Sequence, residues 1–587
     1  MIDIQPTPTK SGLPRRLADF ELLSDALDYA AKGQSGLNFY SARNGLEDVV
    51  PYSELRTRAL DAAQRMLASG LVAGDRVAII AETDADFVAT FFGCAYAGLI
   101  PAPLPLPVAF GGKEGYIAHL KRIMQVCGAQ AVFGPASLVE WIEDAAQTLD
   151  LVYAGSLAAL PPKQGADVEL PRAKAQDMSY LQFSSGTTRF PLGVEITHEA
   201  FMANARGICR DGLAIREGDR ACSWLPFYHD MGLVGFLLAP MASQLSIDLL
   251  PTRDFARRSL RWLQMISDNR ATLAYSPSFG YELCARRART AKLDHLDLSC
   301  WRAAGIGGDM IRLPVLERFV ECFAPVGFDE KAFVASYGMA EATLAISFAP
   351  QGQGLVYDRL DLNILDKESR AVTTTNGSGV PQRAFVLCGG PLPGHKMEVR
   401  DASGKALKEG EVGRIFVTGP SLMREYYGNA GETACVLTPD GWLDTGDLGY
   451  FRDGQIVITG RVKDLILVNG RNVWPQDLEW AAENGSEVLR AGDVAAFSVD
   501  DGEGEQVILL VQTRISDPER RNSLLSAIEG LVSAEYGLMA KVVSVPPHSL
   551  PQTSSGKLSR MKARQMYLEG AFERARKSST VHAPGNA

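Results

Sequence analysis

The sequence predicts an α/β protein: a large N-terminal body of packed α/β subdomains over residues 1–460, then a small α+β domain over 461–587. Three observations carry this. Short apolar runs alternate with helical stretches through the first half. The tail instead pairs two strand-like runs around an acidic turn and adds an amphipathic helix. The length, 587 residues with 46% hydrophobic and 22% charged, suffices for several folding units with buried cores.

In chain order, residues 76–82 (RVAIIAE) read as a buried strand, and a helix follows from about Asp84 to Ala97. Residues 87–112 carry no charge and meet the length test for a membrane span. Yet Pro101, Pro103, Pro105 and Pro107 alternate through the second half, and proline removes a donor and breaks helical geometry. The stretch therefore reads as a buried helix ending near Gly98, then an extended segment, with no membrane span. A helix around 117–127 leads into a strand at 129–134, and strands alternating with helices suggest parallel sheets. Residues 161–171 form a proline-bounded connector, and 351–381 are polar and poorly periodic, which marks an inserted or looped region. A strand at 455–460 follows the turn Arg452-Asp453-Gly454. Strands at 494–499 and 507–513 flank DDGEGE as a hairpin. Ser516 or Asp517 caps a helix with Pro518 in its first turn and Leu524, Leu525, Ile528, Leu531 and Val532 on one face.

The 59 basic and 69 acidic residues leave a net charge of −10, the wrong balance for a general nucleic-acid binder. Nine scattered cysteines without CxxC spacing read as buried reduced thiols of a cytoplasmic protein. The N-terminus, MIDIQPTPTK, has no signal-peptide pattern.

Six segments carry candidate chemistry, four of them with an ordinary structural alternative. LQFSSGTTRFPLGVEITH (181–198) places a small, hydroxyl-rich turn after an apolar strand, where backbone N–H groups can approach phosphate; GxxxxGK[ST] is absent, and a surface turn is the alternative. WLPFYHDMGLVG (224–235) sets His229 between apolar runs beside Asp230, placed to orient a carboxylate or to be an ordinary core or surface histidine. ASYGMAEATL (335–344) offers Tyr337 to a purine and Glu341 to Mg²⁺, or else an ordinary helix start with a surface glutamate. In GWLDTGDLGY (441–450), Asp447 suits ribose hydroxyls. GRVKDLILVNGRNVWPQDLE (460–479) lies at the domain junction. PQTSSGKLSR (551–560) puts Lys557 on a Gly/Ser loop, fit to deliver charge to phosphate or to be a flexible basic tail.

Taken in order and spacing over about residues 20–570, the set resembles the adenylate-forming superfamily of acyl-CoA ligases, luciferases and nonribosomal adenylation domains. Within it the chain is most similar to the fatty acyl-AMP ligases. SSGTTRFPLGV has Leu192 where many acyl-CoA ligases have lysine, the HDMGL string is typical of that branch, and 351–385 falls where these ligases carry an insertion. AAGIGGDMIR departs from the branch, with Ile306 and Met310 in place of the usual Asn and Pro.

The resemblance implies activation of a medium- or long-chain fatty acid by Mg·ATP to acyl-adenylate and pyrophosphate, then transfer to a thiol. It implies Lys557 as the decisive cation, and Ser184, Ser185, Gly186, Thr187 and Thr188 as the pyrophosphate cradle. Glu341 would hold Mg²⁺, and His229 would sit beside the acyl carboxylate. Gly308, Asp309, Tyr337, Gly338, Met339, Asp447 and Arg461 would hold the nucleotide. Lys463 would be the hinge of a mobile C-terminal domain. Phe227, Met231, Leu233 and Phe279 are the acyl-pocket candidates, with core packing as their alternative. The insertion would restrain the C-terminal domain and disfavour CoA. The implied acceptor is the phosphopantetheine arm of a separate acyl carrier protein, since about thirty residues after Lys557 are too few for a fused carrier. Arg257, Arg258 and Arg261 are candidates for its docking patch. The competing readings are a fatty acyl-CoA ligase of the same fold and an inactive nucleotide- or acyl-binding protein.

Overall fold

The computed structural model describes residues 4–107, 112–163, 165–184, 192–375, 379–468, 471–500, 505–552 and 558–572. A nine-stranded sheet forms the centre of the large body. Its order runs Gly390–Pro391, Ala345–Phe348, Phe333–Gly338, Ala303–Ile306, Leu273–Ser276, Ala221–Ser223, Ile247–Leu249, Gly36–Ser41, Gly45–Pro51. The middle six strands, from Phe333–Gly338 to Gly36–Ser41, are parallel, and the outer ones antiparallel. A second sheet, Ile100–Leu104, Arg76–Ile80, Ala129–Phe133, Tyr153–Gly155, is wholly parallel. Both match the alternation of strand and helix in the first half.

The uncharged stretch resolves as the buried helix Ala85–Ala97, ended by Gly98 at φ 65°, and then the strand Ile100–Leu104. That strand lies at the sheet edge. Ile100 donates to Asp75 O at 2.8 Å, so by period two Pro101 and Pro103 turn their missing donors to the open side. No described helix is long and apolar enough to cross a membrane. All nine cysteines are free; six are buried, and Cys435 is exposed.

A four-stranded antiparallel sheet, Lys396–Arg400, Gly413–Thr418, Leu443–Arg452, Gln455–Arg461, follows. Residues 351–385, read from the sequence as an inserted or looped region, hold regular elements. They contain the strand Tyr357–Asp361 and the helix Leu362–Glu368, and that strand pairs antiparallel with Gln382–Val386. Leu360, Leu362, Leu365 and Phe385 pack on Tyr450 and Val457. The polar residues between them hid the apolar period.

After residue 465 the apolar side chains form clusters of their own, around Leu478, Val494, Leu509 and Val532 and around Phe497, Leu510 and Ala563. The expected hairpin is present as Val494–Asp500 and Glu505–Gln512, and Ala540–Val545 adds a parallel third strand. Asp517 caps the helix Pro518–Tyr536 by accepting from Arg520 N at 2.8 Å.

Two arginines of the large body grip the helix Pro475–Asn484. Arg383, from the strand Gln382–Val386, pairs with Asp477, both nearly buried, and its Nη2 donates to Thr459 O at 3.1 Å. Arg312 pairs with Glu483 at 3.1 Å, and the two guanidinium groups flank the Trp480 ring at 5.1 and 5.2 Å. Burial pushes the Glu483 carboxyl up to about 8, against the pull of Arg312. Between the ordinary carboxyl range and that value the native chain keeps a proton that the unfolded chain has released. The group's contribution to stability is therefore complete at low pH and lost as pH rises through about 8. Thermal melts should show a fall in Tm from about pH 5 to 8 that is shallower in Glu483→Gln; equal slopes would remove the group from this linkage.

Candidate active site

The turn Arg452-Asp453-Gly454-Gln455 has positive φ at both central residues, 49° and 72°, the type I′ geometry that suits a tight hairpin. Its register alone would set Asp447 opposite Gly460. A β-bulge between Leu448 and Gly449 inserts Thr459 and brings Arg461 opposite Asp447 instead. Arg461 Nε donates to Asp447 Oδ1 at 2.9 Å, and Tyr337 Oη donates to Oδ2 at 2.7 Å. Asp447 is 4% exposed. The carboxylate raises the Arg461 pKa, and burial raises that of Tyr337, so both partners keep their protons. Thr459, the residue left over by the bulge, is the one whose carbonyl Arg383 takes.

Tyr337 is the penultimate residue of the strand Phe333–Gly338. The chain then turns back tightly: Met339 N donates to Leu344 O at 2.7 Å, and a Cβ at position 338 would lie 1.8 Å from that oxygen. Thr343 sits at φ 68°, ψ −55°, and Leu344 N reaches Ala342 O at 2.8 Å, a strained γ-turn. This turn presents Glu341, which is 8% exposed and accepts from Tyr426 Oη at 2.8 Å. Burial raises the Glu341 pKa, opposed by Tyr426 and by the nearby Arg461. Among the described residues no group of three or more His, Cys, Asp or Glu is gathered to hold a metal. A single hard carboxylate such as Glu341 on the cavity wall fits Mg²⁺, which is commonly held by one or two carboxylates, waters and substrate phosphates.

His229 caps the short helix Asp230–Leu233, and its Nδ1 lies 2.7 Å from Asp230 Oδ1. One cavity of about 390 Å³, within the usual range for small-molecule sites, joins His229, Tyr337, Glu341, Tyr426 and Arg461, while Asp447, held by Tyr337 and Arg461, is not in its lining. Its polar part is lined by His229, Tyr337, Glu341, Arg461 and Lys463, and its apolar part by Ile208, Leu213, Phe236, Leu344 and Phe348. Two π-helical turns, Gly207–Gly212 and Val234–Leu238, carry Ile208 and Phe236 to the apolar part.

Gly308, Gly338, Met339 and Met231 also line this cavity, while Asp309 is exposed and outside the lining, its carboxylate accepting from Met310 N at 2.8 Å. Three acyl-pocket candidates are corrected. Phe227 stacks on Phe87 at 5.3 Å, Phe279 packs edge-on to Trp224 at 5.5 Å, and Leu233 is buried in the core; none lines the cavity. Apolar patterning marks burial without telling core from cavity. Ser184 ends the strand Met178–Ser184, whereas Ser185, Gly186, Thr187, Thr188 and Lys557 lie outside the described residues. The flanks of the Lys557 loop bridge at Gln552 and Leu558. Arg560, just beyond, pairs with Asp464 at 2.9 Å and Glu479 at 2.7 Å, so the loop's base is tied to the Val462–Asp464 turn that carries the exposed Lys463. Sequence reasoning missed Arg560, although it ends the GK segment. It also missed Tyr426, 85 residues from Glu341. Arg257 and Arg258 are exposed; Arg261 is half-buried.

A family model described as AMP-binding enzyme matches residues 43–427. A Caulobacter vibrioides protein with the provisional name acyl-CoA synthetase is 52% identical, over 96% of this chain and 98% of its own. The medium-chain-fatty-acid–[acyl-carrier-protein] ligase JamA of Moorena producens is 31% identical over 94% and 96%. The long-chain-fatty-acid–AMP ligase FadD32 of Mycolicibacterium smegmatis is 30% identical over 91% of each chain. Among solved structures, one from a study of fatty acyl-adenylate ligases of E. coli and L. pneumophila superposes with TM-score 0.91 at 46% identity, covering 95% of this chain and 100% of the other. An L. pneumophila fatty acyl-adenylate ligase in complex with acyl adenylate and pyrophosphate gives 0.71 at 25% identity, covering 95% and 98%.

Proposed function

The chain belongs to the AMP-binding enzyme family of ATP-dependent adenylate-forming enzymes, and from that premise we propose that it is a fatty acyl-AMP ligase serving a separate acyl carrier protein. The observation that carries this reading is a continuous cavity that runs from Tyr337, Arg461 and Glu341 into an apolar section, with Asp447 held by Tyr337 and Arg461 just outside its lining. A nucleotide and an acyl chain each find their chemistry there, joined near His229.

In the proposed reaction a fatty carboxylate oxygen attacks the α-phosphorus of ATP, and the bond to pyrophosphate breaks. Ser184, Ser185, Gly186, Thr187 and Thr188 cradle the departing phosphates, and Lys557 brings positive charge to the α-phosphate. Preorganised donors and cations aimed at developing charge are the main catalytic lever in such transfers. Asp447 accepts hydrogen bonds from the ribose hydroxyls; Tyr337, Gly338, Met339 and Gly308 border the nucleotide. His229 orients the acyl carboxylate. Glu341 is the residue that would hold Mg²⁺, whose charge neutralises phosphate oxygens. In the second step the thiol of a phosphopantetheine arm attacks the acyl carbonyl and AMP leaves.

The proposed division is a large domain to residue 460 and a small one from 461 that turns about Lys463. The Arg383–Asp477 pair supports restraint of that turn by the insertion and so favours a carrier over free CoA. JamA is itself a carrier-protein ligase by name. The name of the Caulobacter relative favours the second reading, a fatty acyl-CoA ligase. Mass spectrometry of products from ATP, Mg²⁺ and dodecanoate separates the two. Free acyl-adenylate is expected with or without CoA, and a thioester only with a pantetheinylated carrier. Efficient CoA thioester formation would sink the preferred acceptor.

A further inference from the structure

Tyr426 joins two parts of the candidate site that lie far apart in the chain. Its Oη donates to Glu341 Oε1 at 2.8 Å, and no other side chain among the described residues donates to that carboxylate. Both residues line the cavity, and both are nearly buried, Tyr426 at 6% exposure and Glu341 at 8%.

The backbone around Tyr426 is fastened on both sides. Upstream, Met423 N donates to Glu341 O at 2.7 Å, and Ser421 O accepts from Thr343 Oγ1 at 2.7 Å. Residues 421–423 thereby hold the strained turn that presents the carboxylate. Downstream, Tyr426 bridges to Val194, Glu195 N donates to Glu425 O at 3.0 Å, and Tyr427 N donates to Gly193 O at 2.8 Å. Residues 425–427 thus run along the strand Leu192–Thr197, which pairs with Met178–Ser184, the strand that leads into the hydroxyl-rich segment. Tyr426 N also donates to Thr433 Oγ1 at 3.0 Å. The phenol therefore reaches Glu341 from a backbone position that the strands beside the phosphate candidates fix.

We propose that Tyr426 is the positioning residue of the metal site: its hydroxyl holds one oxygen of Glu341, sets the plane of the carboxylate, and leaves the other oxygen for Mg²⁺ on the nucleotide. The inference rests on the reading in which Glu341 holds Mg²⁺ and adds to it a residue that touches neither metal nor substrate. An ionised carboxylate offers two acceptor oxygens, so a donor on one orients the other. Partners of this kind commonly contribute 10- to 100-fold to metal affinity. Phenylalanine would fill the same space without holding the carboxylate.

The test is calorimetric binding of α,β-methylene ATP to the full chain in Mg²⁺ and in EDTA, beside pyrophosphate exchange over a Mg²⁺ titration. In the wild type, Mg²⁺ is expected to tighten binding of the analogue. In Tyr426→Phe that metal-dependent gain should fall by about tenfold, with affinity in EDTA unchanged. Half-saturating Mg²⁺ in exchange should rise by a similar factor. In a Glu341→Gln background, adding Tyr426→Phe should change the gain no further. A tyrosine that only supports the fold would lower Tm and leave the gain at its wild-type value, which overturns the inference. A further loss in the Glu341→Gln background overturns it as well. A wild type without any metal-dependent gain overturns Glu341 as the metal ligand, and this inference with it. The calorimetry uses no fatty acid, so exchange that fails with every fatty acid overturns the acyl-chain reading alone.

Discussion

Lys557→Ala is expected to lower acyl-adenylate formation by about 10²–10³-fold, while ATP binding stays largely intact. The expectation comes from charge. As pyrophosphate leaves, negative charge builds on the phosphate oxygens, and a cation that meets it only then lowers the barrier without tightening the ground state. The surroundings suit such a part. Arg560, three residues on, is locked between Asp464 and Glu479, which anchors the loop's exit against the turn after Arg461. A lysine there would be carried by any rotation of the small domain about Lys463. Fatty-acid-dependent pyrophosphate exchange measures the rate, and calorimetric titration with ATP measures binding. Equal exchange by variant and wild type would remove Lys557 from the mechanism; lost ATP binding would make it an anchor of the ground state instead.

Asp447→Asn is expected to raise the KM for ATP by about 10- to 100-fold, with a smaller change in kcat. A hydrogen bond to a charged group contributes about 1.5–3 kcal/mol, and the ribose hydroxyls would lose that charge assistance. The variant should also melt earlier. Asparagine keeps an acceptor for Tyr337 but removes the charge that faces Arg461 at 2.9 Å. That arginine side chain is half exposed, so solvent offsets part of the loss. Initial-rate kinetics and thermal melts, read together, separate the nucleotide contact from the structural pin. An unchanged KM beside a lowered Tm would leave Asp447 with a structural part only.

Much of the site was legible in the sequence, but as separate pieces. Asp447 and Arg461 stand out because a turn glycine and an ordered GRVKD segment surround them. Their pairing was not legible, since it depends on one inserted residue in a β-bulge, and a ladder without it would put Gly460 in Arg461's place. Glu341 stands out within YGMAEA. Its partner Tyr426 carries no comparable sign, because nothing local relates two side chains 85 residues apart. Residues 351–381 looked poorly periodic because few apolar residues interrupt the polar ones, yet Leu360, Leu362 and Leu365 find Tyr450 and Val457.

By itself, then, the sequence determined the α/β class, the elements that alternate along the first half, the small α+β tail and the family, because propensity, capping and motif order are local properties of the chain. Only the tertiary structure decided which buried side chains face a cavity and which face one another. Phe227 and Phe236 sit nine positions apart in equally apolar surroundings. The first packs on Phe87, and the second lines the tunnel beside Tyr275. Burial follows from hydrophobicity, which each residue carries with it. What a buried residue touches follows from how distant strands are brought together.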